Sequence, residues 1–419
     1  MVPPARPGLP RRGAACCVPC LDTEMTLLAG ADARVITPTL GGAPVFLAGF
    51  QGDRRATGLH RDLRVRTLAL SEEDGRPFVL AVYDLIGLLR RDTLIVRAAV
   101  ADLGADVVVA ATHTHSGPDT IGLWGPDEAT TGVDGADLTR ILGCVEASIR
   151  SAVAALEPAR LRATSCRAEG VVQNYRDPEL VDDDIAALAL ERPDGSSIAT
   201  LVSLGVHPEV LDGDATVVSA DMAGACCDAI EAARGGVAVW AAGDLGGMQS
   251  PAEGPRTPEE AERKGQLVAA AALRAFERAE PLQTPRVRYA GAEVALPLWN
   301  PGYRRAIEAG LVRGDLRAEG TIVTDVGVLD LGGARAACWP GEVLPALGLE
   351  SKRRLATDVP LLIGLANDEL GYILPREVFV EPEDWDDPDP HYEESMSLGP
   401  ETGPLLLEAL DALIGALTT

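Results

Sequence analysis

The stretch ATHTHSGP, residues 111–118, follows a short apolar run that is rich in β-branched side chains, residues 107–111. Such a run predicts a buried strand, so His113 and His115 leave a strand end together. Side chains at positions i and i+2 of extended backbone point the same way, which lets both rings serve one pocket, and the Gly-Pro pair then turns the chain away. The pattern indicates a metal site; the alternative is a loop with two exposed imidazoles.

The rest of the chain alternates strand-like and helical patterns. Further strands are predicted at residues 63–70, 78–83, 198–203, 237–240, 287–296, 322–329 and 359–365. Helices are predicted after an N-cap at Asp137, from Asp221 to the Gly235-Gly236 pair, after Thr257 and at residues 405–417. Because strands and helices mix without a repeat, the sequence predicts an α/β (mixed α+β) fold of layered β-sheets flanked by helices.

Charge and composition limit the partners. The chain has 419 residues, of which 47% are hydrophobic, enough for one large core or two modest ones. Its net charge of −26 would repel nucleic acid and anionic membranes. No apolar run approaches the roughly 18 residues that span a bilayer. We expect a small-molecule substrate, no nucleic acid, no stable membrane association and, as an open question, a homo-oligomer.

The first 24 residues differ from the rest in being rich in proline, arginine and cysteine, and we expect a disordered extension at residues 1–24. This segment has no apolar stretch long enough for a signal peptide. The five later cysteines are scattered in apolar surroundings, as is typical of reduced core residues in a cytoplasmic protein. We therefore expect residues 25–419 to form one cytoplasmic domain.

Three other polar side chains also follow strand-like runs: His207, Glu342 and Tyr372. Singly, each would more often be a turn or surface residue. Together they repeat one arrangement, a polar side chain just past a buried strand, where loops on a rigid scaffold commonly carry chemistry. Two imidazoles and a carboxylate suit a zinc ion with one position left open for water.

The run THTHSGP at residues 112–118 resembles the signature of the neutral/alkaline, non-lysosomal ceramidases, zinc amidases that cut the N-acyl bond of ceramide. Weaker landmarks follow in the family's order: NYRDP at 174–178, HP at 207–208, SAD at 219–221, GD at 243–244, PGE at 340–342 and AND at 366–368. The resemblance implies a ceramidase-like catalytic domain that fills residues 25–419.

The resemblance also implies a site. It assigns one zinc ion (Zn²⁺) to His113, His207, Glu342 and Tyr372, although spacing alone does not separate His113 from His115 as the ligand. It assigns catalytic roles to His115, Arg176 and Asp244, with Arg176 also binding substrate. A zinc-activated water would attack the amide, and His115 would act as general acid. Asp84 and Asp221 could orient imidazoles or serve as structural caps.

One departure from the family concerns a serine that the ceramidases carry shortly after the Gly-Asp pair. Gly246 stands at that position here. Either Ser250 binds substrate in its place through a longer loop, or water on zinc acts without a serine, which is the alternative we favour. The acidic segment 381–391 predicts a mobile loop at the site entrance or a solvated surface loop.

The leading functional prediction is a zinc-dependent amidohydrolase that cleaves a carbon–nitrogen amide bond of a soluble N-acyl or amide small molecule. We expect no separate C-terminal β-domain, which argues against a membrane lipid as substrate. The alternatives keep the zinc site for ester hydrolysis, amide formation or cyclisation, or make the protein a binding protein without turnover, with or without a metal. A true ceramidase is the remaining alternative.

Overall fold

The structure, a computed structural model, describes Met1, residues 27–385 and residues 391–418. The strands within these residues are β1 Leu27–Val35, β2 Gly58–Leu59, β3 Arg64–Glu72, β4 Phe78–Tyr83, β5 Asp106–Ala111, β6 Glu157–Pro158, β7 Arg160–Arg167, β8 Val172–Asn174, β9 Asp184–Glu191, β10 Ser197–Leu204, β11 Val217–Val218, β12 Val237–Ala242, β13 Gln249–Pro251, β14 Arg288–Pro297, β15 Thr321–Asp330, β16 Ala334–Cys338, β17 Glu342–Val343, β18 Val359–Ile363 and β19 Tyr372–Ile373. The α-helices are α1 Arg90–Ala99, α2 Gly135–Ala154, α3 Asp221–Arg234, α4 Pro258–Phe276, α5 Pro301–Glu308, α6 Pro345–Leu355, α7 Tyr392–Ser395 and α8 Thr402–Thr418. Apart from Met1, the predicted extension lies outside the described residues, as do residues 386–390 of the acidic segment.

Three mixed sheets form the framework, which confirms the predicted α/β class of layered sheets and helices. Their strand orders are β5-β4-β3-β1-β6, β12-β10-β9-β7 and β14-β15-β16-β18. Each sheet contains one parallel pair: β4 with β5, β10 with β12 and β16 with β18. Both strands of a parallel pair end at the same edge of their sheet. The loops that leave these strand ends carry the candidate site residues.

One apolar core is shared by the three sheets. Leu80, Leu188 and Leu361, one from each sheet, are all fully buried in it. Helices cover the outer faces: α1 and α2 on the first sheet, α3 and α4 on the second, α6 and α8 on the third. Strands buried on both faces are apolar throughout rather than alternating, as the sequence FVLAVY of β4 illustrates.

Hydrogen bonds between sheets fix the parallel pairs relative to one another near the site. Asn367, after β18, exchanges two bonds with Val109 of β5, through its backbone N–H at 2.6 Å and its side-chain Oδ1 at 3.0 Å. Ser203 of β10 donates its hydroxyl to the carbonyl of Leu362 in β18 at 2.6 Å. The strand ends of all three sheets are therefore held close together by bonds that do not depend on the loops.

All eight predicted strands are present, and their ends lie within two residues of the predicted ones. The sequence patterns did not predict β1, β7 or β9; β7 carries three arginines and β9 is rich in alanine, and neither composition favours a strand. The predicted N-cap of α2 was wrong by one turn. Asp134, not Asp137, caps this helix by accepting from the backbone N–H groups of residues 136 and 137.

Among the helices that the structure describes, none is both long and apolar enough to cross a membrane. The described cysteines are all free thiols, and Cys226, Cys227 and Cys338 are buried. Burial raises the pKa of each of these three thiols, which keeps them protonated and unreactive. They therefore act as small apolar core residues.

Candidate active site

Three histidines meet at the strand ends. His113 and His115 follow β5, and His207 follows β10. The ring centroid of His113 lies 5.0 Å from that of His115 and 5.0 Å from that of His207, and the centroids of His115 and His207 lie 5.5 Å apart. All three are buried, and one ring nitrogen of each lies within 4.8 Å of those of the others. This histidine group could hold a metal ion.

Backbone carbonyls orient two of these rings. His113 donates from Nδ1 to the carbonyl of Ile86 at 2.7 Å, and His207 donates from Nδ1 to the carbonyl of Gln249 at 2.9 Å. With Nδ1 carrying the proton, the Nε2 lone pair of each ring is free for a metal, which is the usual arrangement of metal-binding histidine. His113 adopts a left-handed backbone, with φ of 68°, a strained conformation that recurs at functional sites.

The alternative orienting groups considered from the sequence, Asp84 and Asp221, do not contact the imidazoles. Asp84 accepts from the Arg66 guanidinium at 2.8 Å. Asp221 accepts from the backbone N–H groups of Val210 and Leu211 at 3.1 and 2.9 Å. Both carboxylates therefore hold the surrounding backbone and side chains in place, as the structural alternative predicted.

Glu342 and Tyr372 complete the cluster. They pair in the short parallel ladder of β17 and β19, so that their side chains leave the same face. Glu342 Oε2 lies 3.1 Å from His207 Nε2 and 3.4 Å from His113 Nε2. Tyr372 is buried and donates its hydroxyl to Met248 Sδ at 3.2 Å. The structure thus brings the four predicted zinc ligands together.

The electrostatics of this cluster favour a positive charge at its centre. Burial raises the pKa of Glu342, but His113 and His207 outweigh it and hold that pKa well below its usual range. Burial lowers the pKa of His207, but the Glu342 carboxylate and the charge of Glu209 raise it to about 9. Without a metal, a proton on His207 therefore balances Glu342. A divalent metal ion would supply the same balance.

His115 lies beside this pair, and its buried Nε2 has no hydrogen-bond partner. Burial and the neighbouring His113 and His207 lower its pKa well below the ordinary value, so the ring is neutral with a lone pair available. Buried polar atoms without partners in a folded protein point to a missing ligand or water. Imidazole nitrogens, a carboxylate and a phenol oxygen are donors that fit zinc. His113 and His207 could bind the ion together with His115, or together with Glu342 and Tyr372.

Glu209 is a site residue that the sequence analysis missed. Its Oε2 lies 3.2 Å from His115 Nδ1, and its Oε1 accepts the Ser250 hydroxyl at 2.5 Å. All three side chains are buried. The signal was present, because Glu209 stands two positions after His207, the same spacing that links His113 to His115. We call Ser250, Glu209 and His115 the relay.

Two glycines allow close contacts of the backbone around the relay. A side chain at Gly246 would place Cβ 2.6 Å from the Glu342 carbonyl oxygen, so a serine does not fit there without moving β17. At Gly49, with φ of +100°, a Cβ would lie 2.3 Å from Cγ of His115. Gly246 therefore makes a close backbone contact with β17, and Ser250 faces Glu209.

Arg176, predicted to contact substrate, is engaged elsewhere. Its guanidinium lies 2.9 Å from Glu393 Oε2 and 2.7 Å from Glu394 Oε1, both on or beside α7. The same short helix carries Tyr392, whose ring lines the site cavity. Arg176 therefore holds α7, and with it Tyr392, at the cavity. Its direct contact with substrate stays a prediction.

Asp244, also predicted to be catalytic, is fully buried near Asp182 and Lys352. Lys352 pairs with Asp182 and lies 3.7 Å from Asp244 Oδ1. Burial raises the pKa of Asp244 well above its usual value. Its backbone carbonyl accepts from the Gln249 side chain at 2.8 Å, which braces the loop that orients His207. Its catalytic role stays a prediction.

A small cavity of about 40 Å³, enough for a few waters, opens beside the cluster. His113, His115, Glu342 and Tyr372 line it. The remaining walls are mostly aromatic and aliphatic, with one further carboxylate; they comprise Gly49, Ile86, Ile121, Leu123, Trp124, Tyr303, Glu369, Gly371, Tyr392 and Met396. The cluster therefore faces a partly open and largely apolar space.

No protein-family model matches the chain, and no curated protein matches it significantly. Solved structures do. The neutral ceramidase of Pseudomonas aeruginosa aligns over 94% of this chain and 74% of its own, with a TM-score of 0.76 and 18% identity. A structure described as ceramidase complexed with C2 aligns over 94% and 75%, with a TM-score of 0.77 and 18% identity. The chain therefore has a ceramidase-like fold, with a buried histidine group that could bind a metal at its strand ends.

Proposed function

We propose that the protein is a zinc-dependent amidohydrolase that uses water to cleave a carbon–nitrogen amide bond of a soluble N-acyl small molecule. One observation carries the proposal. His113, His115 and His207 form a buried group that could hold a metal. Glu342 Oε2 lies 3.1 Å from His207 Nε2 and 3.4 Å from His113 Nε2, and Tyr372 pairs with Glu342 in the β17–β19 ladder. The ceramidase-like fold supports the choice of an amide, because ceramidases hydrolyse one.

Zinc held by His113, His207, Glu342 and Tyr372 would supply a Lewis acid that polarises the scissile carbonyl and would lower the pKa of water to about 7. The protein itself must position the substrate and move one proton. The apolar cavity walls exclude bulk water from the reacting amide. His113 and His207 are fixed by their carbonyl partners, so the cluster is preorganised.

We assign the proton transfer to His115. Its ring lines the cavity and is neutral because burial lowers its pKa, so it can accept the proton that the attacking water loses. Glu209 at Nδ1 would stabilise the resulting imidazolium, and Ser250 holds Glu209. The ring then gives the proton to the departing nitrogen. A carbon–oxygen bond forms, the carbon–nitrogen bond breaks, and the products are a carboxylic acid and an amine.

A second candidate uses the same cluster for ester hydrolysis, amide formation or cyclisation. The contact at Gly246 favours it, because the serine that ceramidases carry at this place has no room here. We further propose that the protein is cytoplasmic and that its partner is a small-molecule substrate, not a nucleic acid or a membrane.

The experiment is hydrolysis of a panel of N-acetyl amines and cyclic amides by the zinc-loaded protein in water enriched in ¹⁸O. We expect free amine and a carboxylate that carries the label, read by mass spectrometry, and no release by the matched Glu342→Gln variant. Hydrolysis of the matched acetate esters but of no amide, or formation of an amide and water from a supplied carboxylic acid and amine, would favour the second candidate. Full zinc loading without turnover of any amide or ester would overturn the proposed enzyme.

A further inference from the structure

We infer that the substrate carries an ammonium group, which binds in the cavity against Glu369. This inference rests on the proposed function, since it names the class of amide that the site accepts. The ammonium site consists of Glu369 and the aromatic residues Trp124, Tyr303 and Tyr392, all of which line the cavity.

Glu369 is a buried carboxylate with an unused oxygen. The residue is 8% exposed; its Oε1 accepts from the backbone N–H of Gly371 at 3.0 Å, whereas Oε2 is buried without a hydrogen-bond partner. Gly87 leaves the space for this carboxylate, because a Cβ there would lie 2.8 Å from Glu369 Cγ. An ionised carboxylate buried in this way needs a cation to offset its loss of hydration.

No arginine is among the charges that act on Glu369, although Arg90, Arg91 and Arg313 line a neighbouring cavity that it also lines. Arg90 pairs with Asp325 at 3.3 Å, and Arg313 pairs with Asp92 at 2.9 Å. Burial and the charges of Glu342 and the adjacent Asp368 raise the pKa of Glu369 well above its usual value. A proton therefore balances this group in the empty protein, and a bound ammonium ion could replace it.

The aromatic walls suit an ammonium ion as well. Trp124 donates its indole N–H to the Phe50 carbonyl at 2.9 Å, and Tyr303 donates its hydroxyl to the Leu370 carbonyl at 3.2 Å. Their polar atoms are thus engaged with the backbone, which leaves the rings as the surface presented to a ligand. Ammonium groups are attracted to aromatic faces, and the effect grows when the site excludes water.

The position of Glu369 relates the ammonium group to the reacting bond. Glu369 lines the same cavity as His113, His115 and Glu342, so one small molecule can place its amide beside the histidines and its ammonium group against Glu369. The net charge of −26 also favours the approach of cations over anions. The cavity is small, which favours a short amide over a long-chain lipid.

The test compares matched pairs of amides on the zinc-loaded protein. N-acetyl-1,4-diaminobutane carries the ammonium group on the amine side and is paired with N-pentylacetamide. The N-butyl amide of 4-aminobutanoic acid carries it on the acyl side and is paired with N-butylpentanamide. We expect a kcat/KM at least about 30-fold higher for the ammonium member of one pair, the effect of a charge-assisted contact in a buried site.

Glu369→Gln should remove this preference. The matched control Glu73→Gln changes an exposed carboxylate in the β3–β4 turn, at the opposite end of the strands from the site, and should keep it. Equal rates for the two members of both pairs in wild type, or an unchanged preference in Glu369→Gln, would overturn the inference.

Calorimetry separates failure of this inference from failure of the proposed function. Butylammonium chloride titrated into the zinc-loaded wild-type protein should bind, and 1-butanol should bind at least tenfold more weakly. Binding of butylammonium without hydrolysis of any amide would sink the amidohydrolase and leave the ammonium site standing. Hydrolysis of neutral amides without butylammonium binding would overturn the ammonium site and leave the amidohydrolase standing. The comparison needs only wild-type protein, so it holds even if Glu369→Gln does not fold.

Discussion

Replacing Glu209 by glutamine tests whether the relay moves a proton. The substitution keeps an acceptor for the Ser250 hydroxyl at nearly the same place and removes only the charge beside His115. A hydrogen bond to a charged group contributes about 1.5–3 kcal/mol, and the 3.2 Å contact with His115 would be made fully only when the ring is protonated. We therefore expect kcat to fall about 10- to 100-fold in Glu209→Gln, with little change in KM.

The assay is steady-state hydrolysis of the best amide by zinc-loaded wild type, Glu209→Gln and the control Ser250→Ala, each with its zinc content measured. Ser250→Ala should lower kcat less, because Glu209 keeps its charge. A Glu209→Gln enzyme that holds zinc and keeps kcat within twofold would refute the role of the relay. Loss of zinc in this variant would also refute it, by showing that Glu209 acts on the metal.

Three further predictions concern the surroundings of the cluster. Gly246→Ser should destabilise the protein by about 1–3 kcal/mol because its Cβ meets the backbone of β17, whereas Gly42→Ser, in open space, should not; chemical denaturation would show equal stabilities if this is wrong. Arg176→Ala should destabilise by about 1–3 kcal/mol in the same assay, because the buried Glu394 carboxylate would keep only the Val380 backbone N–H at 3.4 Å and His391 at 4.0 Å, and an unchanged midpoint would contradict this. The pKa of His207 is raised to about 9, so its protonation stabilises the metal-free protein by about 3 kcal/mol below pH ~6.5, the pKa of histidine in the unfolded chain, and this stabilisation is lost as the pH rises to about 9. The melting temperature of chelator-treated protein should therefore fall over this pH range, and that of zinc-loaded protein should not. Identical pH profiles for the two forms would count against the metal replacing the proton.

Local pattern was enough to predict the framework and the histidine positions. His113, His115 and His207 follow short apolar runs, and such runs become buried strands in almost any layered fold. The strand ends then converge because each sheet contains a parallel pair. Glu342 and Tyr372 were singled out as polar side chains past strand-like runs, and the resemblance assigned both to the zinc. Their pairing was not predicted, since the two lie on separate two-residue strands that no periodicity reveals.

The partners of the site residues could not be predicted from the sequence. His113 is oriented by the carbonyl of Ile86 and His207 by that of Gln249, and any residue type supplies a carbonyl. Arg176 matches the family motif in position, yet its charge partners lie more than 200 residues later, at Glu393 and Glu394. Contacts of this kind depend on how the sheets pack, which a single sequence does not state.

Glu209 is different, because the sequence contained its signal. The i, i+2 spacing of His113 and His115 recurs in His207 and Glu209, but the backbone is extended in neither pair: His113 has a φ of 68°, and the Glu209 N–H donates to the His207 carbonyl at 2.9 Å. Two histidines in one short stretch stand out because the chain has only five, whereas a glutamate after His-Pro is unremarkable in an acidic chain. Burial distinguishes it, with Glu209 only 6% exposed.

The central claim is that His113 and His207 hold a zinc ion, and elemental analysis of the purified protein tests it most directly. The comparison uses wild type, His113→Ala, His207→Ala and the control His60→Ala, whose ring lies 3.0 Å from Ser219 and does not line the cavity. We expect about one zinc per chain in wild type and in His60→Ala, and none in the other two. No stoichiometric metal in wild type, or full retention in both site variants, would contradict the account.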